Sequence, residues 1–230
     1  MEPRGGNIRQ QAASYFRTRI AAVIMTLIVM AGQTWIAYMI DFGIVWLVPV
    51  ISGAMLTSSI FAYSNNHTIM VKSARSLSVA VVVMLTLFNI IFIGWFIYDM
   101  LNPDTITVSH ELLLTGFALW IVNIGIFSLA YWELDTGGPE NRAMGMPELL
   151  RNKNYPDFIF EQQIPSRPQH APGDWTPGFV DYLYLSITTA TAFSPTVPTP
   201  NTQMAKMMVG SQALVSLLIL GLIIARAISL

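Results

Sequence analysis

The sequence predicts an all-α membrane protein with four transmembrane helices, a polar flap, a short helix and a final transmembrane helix. The chain has 230 residues, of which 53% are hydrophobic and only 11% charged, and its mean hydropathy is +0.54. This composition is too apolar for an ordinary soluble domain. Several uncharged stretches also reach the roughly 20 residues that a helix needs to cross a hydrocarbon core about 30 Å thick.

The apolar stretches divide the chain into four parts. Four stretches come first and one lies near the end, at 20–40, 44–63, 77–98, 112–132 and 207–225. The predicted parts are a basic N-terminal flank (1–19), a four-helix transmembrane bundle (20–132), a polar, proline-rich flap (133–178), and a hairpin with the last transmembrane helix (179–230).

Charge placement predicts the orientation in the membrane. The flank 1–19 carries four arginines, and the loop after the second apolar stretch adds Lys72 and Arg75. The link between the third and fourth stretches holds three acids, Asp99 among them, and no lysine or arginine. Because basic loops stay on the cytoplasmic side, the N-terminus and the flap are expected to be cytoplasmic.

Composition and spacing argue against an enzyme. The chain has no cysteine, which excludes disulfides and thiolate chemistry. Its three histidines lie in separate loops without metal-ligand spacing, and no nucleophile elbow, phosphate loop or pair of catalytic carboxylates is present. We expect no catalytic residues, no metal and no cofactor, and a partner that is the lipid bilayer rather than a nucleic acid.

The flap 133–178 has no apolar run long enough to span a membrane. Its aromatic residues Phe158, Phe160 and Trp175 are expected to dip into the headgroup layer, as in interfacial segments. The alternative is a loop ordered by a partner membrane protein that docks on 133–178.

The segment Phe179 to Pro200, FVDYLYLSITTATAFSPTVPTP, is the most informative part of the chain. Asp181 to Ala192 suits a helix of about 18 Å, and the prolines that follow prevent its continuation. The segment either crosses the membrane or dips in and returns, and the count of basic residues on each side is the same for both paths. A short helix with an extended tail is favoured.

One face of this short helix is predicted to carry hydroxyl groups. Asp181, Tyr184, Thr188 and Thr191 share a face by their i, i+3, i+4 spacing. Hydroxyls bond water or ions at a lower desolvation cost than a full charge, so this face suits a pore or an internal polar seam. The alternative is that the hydroxyls bond carbonyls of their own helix and that Asp181 caps the helix N-terminus.

The letters LYLS and TATAFSPTVP resemble the pore helix and filter of potassium-type pore-loop channels. In that alignment Thr189 aligns with the first threonine of the filter, and Ala192 and Ser194 align with its two glycines. Phe193 aligns with the tyrosine, and Pro198 aligns with the trailing proline. Both glycines are absent, so the resemblance implies a pore-loop-like element but not potassium selectivity. The candidate pore-lining or selectivity residues are Asp181, Tyr184, Thr188, Thr189, Thr191, Ala192, Phe193 and Ser194.

A second resemblance covers residues 112–230. The segments YWELDTGGPENRA, PDFIF and WTPGFVDYLYLSITTATAFSPT, with the ending AKMMVGSQALVSLLILGLIIARAISL, resemble a widespread family of uncharacterised bacterial integral membrane proteins. This resemblance implies a bacterial inner-membrane location and a shared pore-loop-like hairpin, and it implies no established activity.

Four amide side chains lie within the apolar stretches: Gln33, Asn89, Asn123 and Gln212. Because an unsatisfied amide in hydrocarbon is costly, these side chains are expected to hydrogen-bond across helices. A role in binding a substrate is the alternative.

Two functions of different classes fit the sequence. The first is passive cation permeation by a homo-oligomer through the hydroxyl-bearing hairpin. The second is a non-conducting structural or accessory subunit whose flap docks another membrane protein. A proton-coupled transporter would need buried carboxylates at mid-membrane, and the apolar stretches contain none there.

Overall fold

The computed structural model describes residues 8–43, 47–64, 68–102, 109–142, 151, 155–163, 175–193 and 198–228, with side chains apart from those of 8–18, 59–64, 68–74 and 109–110. Its helices are α1 (Ile8–Met39), α2 (Leu47–Ser64), α3 (Thr68–Leu101), α4 (Ser109–Leu134), α5 (Phe179–Ala190) and α6 (Gln203–Ile228). Single helical turns cover Asp135–Gly137, Pro139–Arg142 and Glu161–Gln163, and two short strands, β1 (Phe158–Ile159) and β2 (Thr199–Pro200), pair antiparallel.

Four helices are long and apolar enough to cross a membrane, over Arg19–Met39, Arg75–Leu101, Glu111–Gly137 and Gln203–Ile228. The predicted helices of the first, third, fourth and last apolar stretches are thereby confirmed, and the chain is a multi-pass membrane protein. The second stretch is also helical, and its described apolar part, Leu47–Ser58, is shorter. Because α1 begins at Ile8, the predicted flank is helical from that residue onward.

The helices α1 and α6 both run antiparallel to α4. Arg19 of α1 pairs with Glu133 at the C-terminal end of α4. In α6, Gln212 bonds Tyr131 and Ser216 bonds Asn123, so α6 also begins beside that end of α4. We call this end of the bundle, which also holds the β1–β2 pair, the flap end. The opposite end, where α3 and α6 terminate, is the far end.

The helix α4 is the centre of the bundle. It packs against α1, α3, α5 and α6, and 61% of its apolar window is buried, compared with 17% for α6. Its glycines permit close helix contacts, as is common in membrane proteins. A Cβ atom at Gly125 would lie 2.5 Å from Val29 Cγ2, and one at Gly116 would lie 2.7 Å from Phe96 Cζ. These two positions bring α1 and α3 against α4.

Two flap residues that were expected to dip into the headgroup layer, Phe158 and Phe160, do not, so the expectation was wrong for them. Phe158 and Phe160 are buried in the protein core. The Phe158 ring packs 5.1 Å from that of Tyr131, and the Phe160 ring lies 5.3 Å from that of Tyr182, measured between centroids. Trp175 is partly buried and packs on Phe160. Burial against aromatic rings of α4 and α5 offers these side chains tighter packing than a headgroup layer.

Replacing Gly125 with alanine is expected to destabilise the bundle. The added methyl group would overlap Val29, and such overpacking costs about 1–3 kcal/mol. Thermal unfolding of the purified protein in detergent measures the effect. Gly94→Ala is the matched control, because no atom lies within 4 Å of a Cβ at that helical position. Equal unfolding midpoints for the two variants would contradict the close α1–α4 contact.

Candidate functional site

The short helix predicted in the C-terminal hairpin is present as α5. It has 12 residues, as expected, but begins at Phe179, two residues before the predicted start. Asp181 is therefore the third helical residue. Its Oδ2 accepts the backbone N–H of Gly178 at 2.8 Å, so the carboxylate still caps the helix start, where the helix dipole favours a negative charge.

The helix α5 ends in a tight turn. Its last residue is Ala190, and Thr191 and Ala192 form the turn that follows. Ala192 has a φ of 55°, in the left-handed region that favours glycine. This is one of the two positions that the filter alignment pairs with a glycine. The other, Ser194, lies outside the described residues.

Both ends of the hairpin lie at the flap end of the bundle. The Phe179 ring packs 6.0 Å from that of Trp132, near the C-terminus of α4. Further along α5, Ser186 Oγ donates a hydrogen bond to the Ile124 carbonyl at 2.7 Å, so α5 runs antiparallel to α4 into the bundle. By Thr199 the chain has returned, because β2 pairs with β1 at the flap end.

A buried carboxylate joins the three elements that meet there. Asp135 Oδ1 accepts the backbone N–H groups of Asp157, at 2.8 Å, and Phe158, at 3.3 Å. Asp135 Oδ2 accepts the hydroxyl of Tyr182. Burial raises the pKa of Tyr182 well above its ordinary value, so the phenol keeps its proton and remains the donor. The end of α4, strand β1 and helix α5 therefore share one acceptor.

A second carboxylate extends this arrangement to α6. Asp157 Oδ2 accepts the backbone N–H of Thr136 at 2.9 Å, and Oδ1 accepts the hydroxyl of Thr202 at 2.5 Å. The Asp157 carbonyl accepts the N–H of Asn201 at 2.7 Å. We call Asp135, Asp157, Tyr182 and Thr202 the flap-end cluster.

Arg142 satisfies the carbonyl end of α4. Its Nη1 donates to the Asp135 carbonyl and its Nη2 to the Trp132 carbonyl, both at 2.7 Å. The guanidinium lies 5.0 Å from the centre of the Tyr182 ring, within cation–π range. The last carbonyls of a helix lack intrahelical donors, so this buried arginine caps α4 and contacts α5.

Arg19 of α1 forms ion pairs at the same end of the bundle. Its Nη1 lies 3.4 Å from Glu133 Oε1, and its Nη2 bonds Glu140 Oε1. The guanidinium also lies 5.2 Å from the centre of the Trp132 ring. Residues 131–142 therefore form much of the flap end, which their sequence had not been expected to do. The density of acids, arginines and glycines directly after an apolar helix was the available signal.

Two further layers of hydrogen bonds lie deeper in the bundle, the first joining α4, α5 and α6 and the second joining α3, α4 and α6. In the first, the Tyr131 hydroxyl donates to Gln212 Oε1 at 2.5 Å, and Gln212 Nε2 donates to Ser186 Oγ at 2.7 Å. In the second, Asn89 Nδ2 donates to Asn123 Oδ1 at 3.3 Å, and Asn123 Nδ2 donates to Ser216 Oγ at 3.1 Å. Gln33 of α1 likewise donates to the Leu85 carbonyl of α3 at 2.7 Å, so the expected cross-helix bonding of the four amides is confirmed.

The side chains of the predicted hydroxyl face do not all point the same way. Thr188 is only 7% exposed, and its hydroxyl donates to the Tyr184 carbonyl of its own helix at 2.9 Å. Thr189 is half-buried and hydrogen-bonds to Tyr131. Tyr184 and Thr191 are exposed, and the Thr191 hydroxyl also bonds a carbonyl one turn back.

The exposed face of α5 is thus rotated from the predicted one, with which it shares only Tyr184 and Thr191. It carries Val180, Tyr184, Ile187 and Thr191. Ala192 is exposed as well, and Phe193 is 80% exposed. Polar groups on the inner side of α5 bond within the chain, whereas the outer side and the described part of the tip are exposed.

The described parts of the flap pack against their own chain through β1, the flap-end cluster and Phe160. The docking of a partner membrane protein on 133–178 stays a prediction.

Comparison of the chain with protein-family models, curated proteins and solved structures gives no match.

Replacing Tyr182 with phenylalanine is expected to destabilise the protein. The change removes the hydroxyl donor to Asp135 and leaves a buried carboxylate oxygen without that partner, which costs about 1–3 kcal/mol. Tyr184→Phe is the matched control, because this tyrosine is exposed two residues away, and changes at such positions stay within about 0.5 kcal/mol. Thermal unfolding in detergent compares the two, and equal midpoints would contradict the role of the flap-end cluster.

Proposed function

We propose that this protein is a passive cation-permeation protein of the membrane. In this proposal several identical copies assemble, and α5 with residues 191–198 forms a re-entrant, pore-loop-like element in each copy.

The observation that carries the proposal is the path of the hairpin. A 12-residue helix is about 18 Å long, which is shorter than a hydrocarbon core of about 30 Å. The chain enters beside Trp132 and is back at the flap end by Thr199. A chain that enters as a short helix and is back on the same side by Thr199 follows the path of a re-entrant loop.

The exposure of the tip supports assembly into an oligomer. Ser186 bonds Ile124, next to Asn123 near the middle of α4, and α5 ends one turn deeper. The turn at Thr191 and Ala192 is therefore non-helical backbone at membrane depth. Lipid cannot satisfy such backbone, which is tolerated only where protein or a water-filled cavity covers it. In an oligomer, neighbouring copies cover this backbone with protein, and a water-filled pore on the symmetry axis hydrates the rest.

The chemistry of the tip favours cations over anions. The C-terminus of α5 points to the tip, and a helix C-terminus carries a partial negative charge and carbonyls without intrahelical donors. The exposed hydroxyls of Tyr184 and Thr191 add neutral oxygens on the same face. Such oxygens replace part of the hydration shell of a cation at a moderate energetic cost.

Orientation and location follow from charge and resemblance. Arg19, Arg75 and Arg142 lie at the flap end, whereas Arg226 lies at the far end, and the side with more basic residues is favoured to be cytoplasmic. We therefore place the N-terminus and the flap in the cytoplasm. The resemblance of residues 112–230 to bacterial integral membrane proteins supports a bacterial inner-membrane location.

Cation flux into liposomes that contain the purified protein tests the proposal. Thr191→Phe places a bulky apolar ring at the exposed tip and is expected to change flux at least about tenfold, equivalent to ~1.4 kcal/mol in the barrier. Thr57→Phe is the matched control, because Thr57 is also exposed and also bonds a carbonyl four residues back, but lies in α2.

Absence of flux of Na⁺, K⁺ and Rb⁺ through the intact protein would contradict the proposal and favour the accessory-subunit hypothesis. Equal flux through the two threonine variants would exclude the tip of the hairpin as the pathway.

A further inference from the structure

The ends of α1 and α3 that lie at the flap end are basic. Both helices begin before the spans that are apolar enough to cross a membrane, which start at Arg19 and Arg75. Arg17 lies two residues before the first of these spans, and Lys72 lies three residues before the second. At about 1.5 Å per residue, both positions are within roughly 5 Å of the start of a span and therefore at the depth of the polar headgroups. We call Arg17, Lys72 and Arg75 the basic rim.

The basic rim lies on two neighbouring helices. α1 packs against α3, and both helices run from the flap end toward the far end. Arg19 Nη1 donates a hydrogen bond to Ser78 Oγ at 3.5 Å, and Ser78 lies one turn after Arg75. The two helices therefore bring the rim residues to one region of the membrane surface.

Helical register places Arg17 on the outer face of α1. Residues three and seven positions further along a helix share a face with the first. For Arg17 these residues are Ile20 and Ile24, which are 52% and 51% exposed. Apolar side chains that a membrane span exposes face the acyl chains of the lipid, so Arg17 lies directly above a lipid-facing surface.

The same register holds on α3. Residues four, eleven and fifteen positions after Lys72 share its face. They are Ser76, Val83 and Leu87, and all three are exposed. Lys72 therefore also lies above a lipid-facing surface.

Arg75 is held against the glycine turn that follows α4. A Cβ atom at Gly138 would lie 3.2 Å from Arg75 Nε, and one at Gly137 would lie 3.7 Å from Arg75 Nη2. Glu140 Oε2 lies 3.2 Å from the same Gly138 position, but the salt bridge of Glu140 is to Arg19. Among the residues that the structure describes, Arg75 forms no salt bridge, so its guanidinium retains donors for an anion.

Five acids at the flap end bond within the protein. Those that accept backbone N–H groups are Asp135, Asp157 and Asp181. Glu133 and Glu140 pair with Arg19. On α1 and α3 no acid precedes the far end, because the sequence has none from residue 3 to 40 and none from 42 to 98. The basic rim therefore keeps its positive charge.

We propose that the basic rim binds the headgroups of anionic phospholipids. The phosphate of such a lipid lies at the depth of the rim, and arginine and lysine form charge-assisted hydrogen bonds with phosphate oxygens. The acyl chains of the same lipid contact the exposed apolar faces next to Arg17 and Lys72, which a free phosphate ion would not use. The proposal depends on the charge and the register of α1 and α3, so it is independent of cation permeation.

Thermal unfolding of the full-length protein in mixed micelles of detergent and lipid tests this site. The midpoint of the wild-type protein is expected to rise with phosphatidylglycerol, which is anionic, but not with phosphatidylcholine, which is zwitterionic. The reason is that a ligand that binds only the folded state stabilises it. High salt is expected to reduce the rise, because it screens the charges.

Substitutions in the rim locate the site. Arg75→Gln and Lys72→Gln are each expected to raise about fivefold the phosphatidylglycerol concentration that gives half of the maximal rise. Lys206→Gln is the matched control, because Lys206 is also an exposed basic residue near the flap end but lies in α6, and it is expected to respond like the wild-type protein. The midpoint in phosphatidylcholine shows whether each variant folds, and either rim variant alone suffices for the test.

Three results would overturn the proposal. The first is an equal rise with phosphatidylglycerol and phosphatidylcholine. The second is a rim variant that folds and keeps the wild-type response, or a Lys206→Gln variant that loses as much of it as the rim variants do. The third is an equal rise with glycerol phosphate, which carries the phosphate without acyl chains and would identify a site for a free anion.

Discussion

The arrangement of the C-terminal half depends on the buried carboxylate of Asp135. This group follows the last residue of α4 and accepts hydrogen bonds from β1 and from Tyr182 of α5. A buried carboxylate is tolerated when several donors satisfy it, and here the donors come from segments far apart in the sequence. The acid thereby specifies which segments must meet at the end of α4. The left-handed conformations of Thr136 and Gly137 turn the chain back sharply enough for Arg142 to reach the same place.

Several polar residues of the C-terminal half face the interior of the bundle. In each hydrogen-bonded layer along α4, hydroxyl and amide groups bond within the chain and are not available to a pore, as with Ser186 and Gln212. In a bilayer such groups bond to protein because lipid offers them no partner. The outward face of α5 retains Tyr184 and Thr191. One side of α5 thus bonds to its own subunit, and the other side is available to a neighbouring copy.

Much of this fold was accessible from the sequence, since apolar length and proline position act locally. The long apolar helices and the 12-residue length of α5 followed from such local rules. The pairing of Asn89 with Asn123 followed from the cost of an unsatisfied amide in hydrocarbon. The other contacts between distant segments were not accessible. The burial of Phe158 depends on Tyr131, and the rotation of α5 follows from bonds to α4. Asp99 looked like a loop residue because acids usually mark the end of a span, whereas α3 continues to Leu101.

The β1–β2 pair is only two residues long in each strand, yet it has a topological consequence. It ties residues 158–159 to 199–200, so that 160–198 form a loop closed at its base. The entropy of closing a loop grows only with the logarithm of its length. Residues added or removed between Gln163 and Trp175 would therefore change the free energy of folding very little. The position of α5 is set by the closed base and by α4, which makes the hairpin tolerant of length variation in the segment that precedes it.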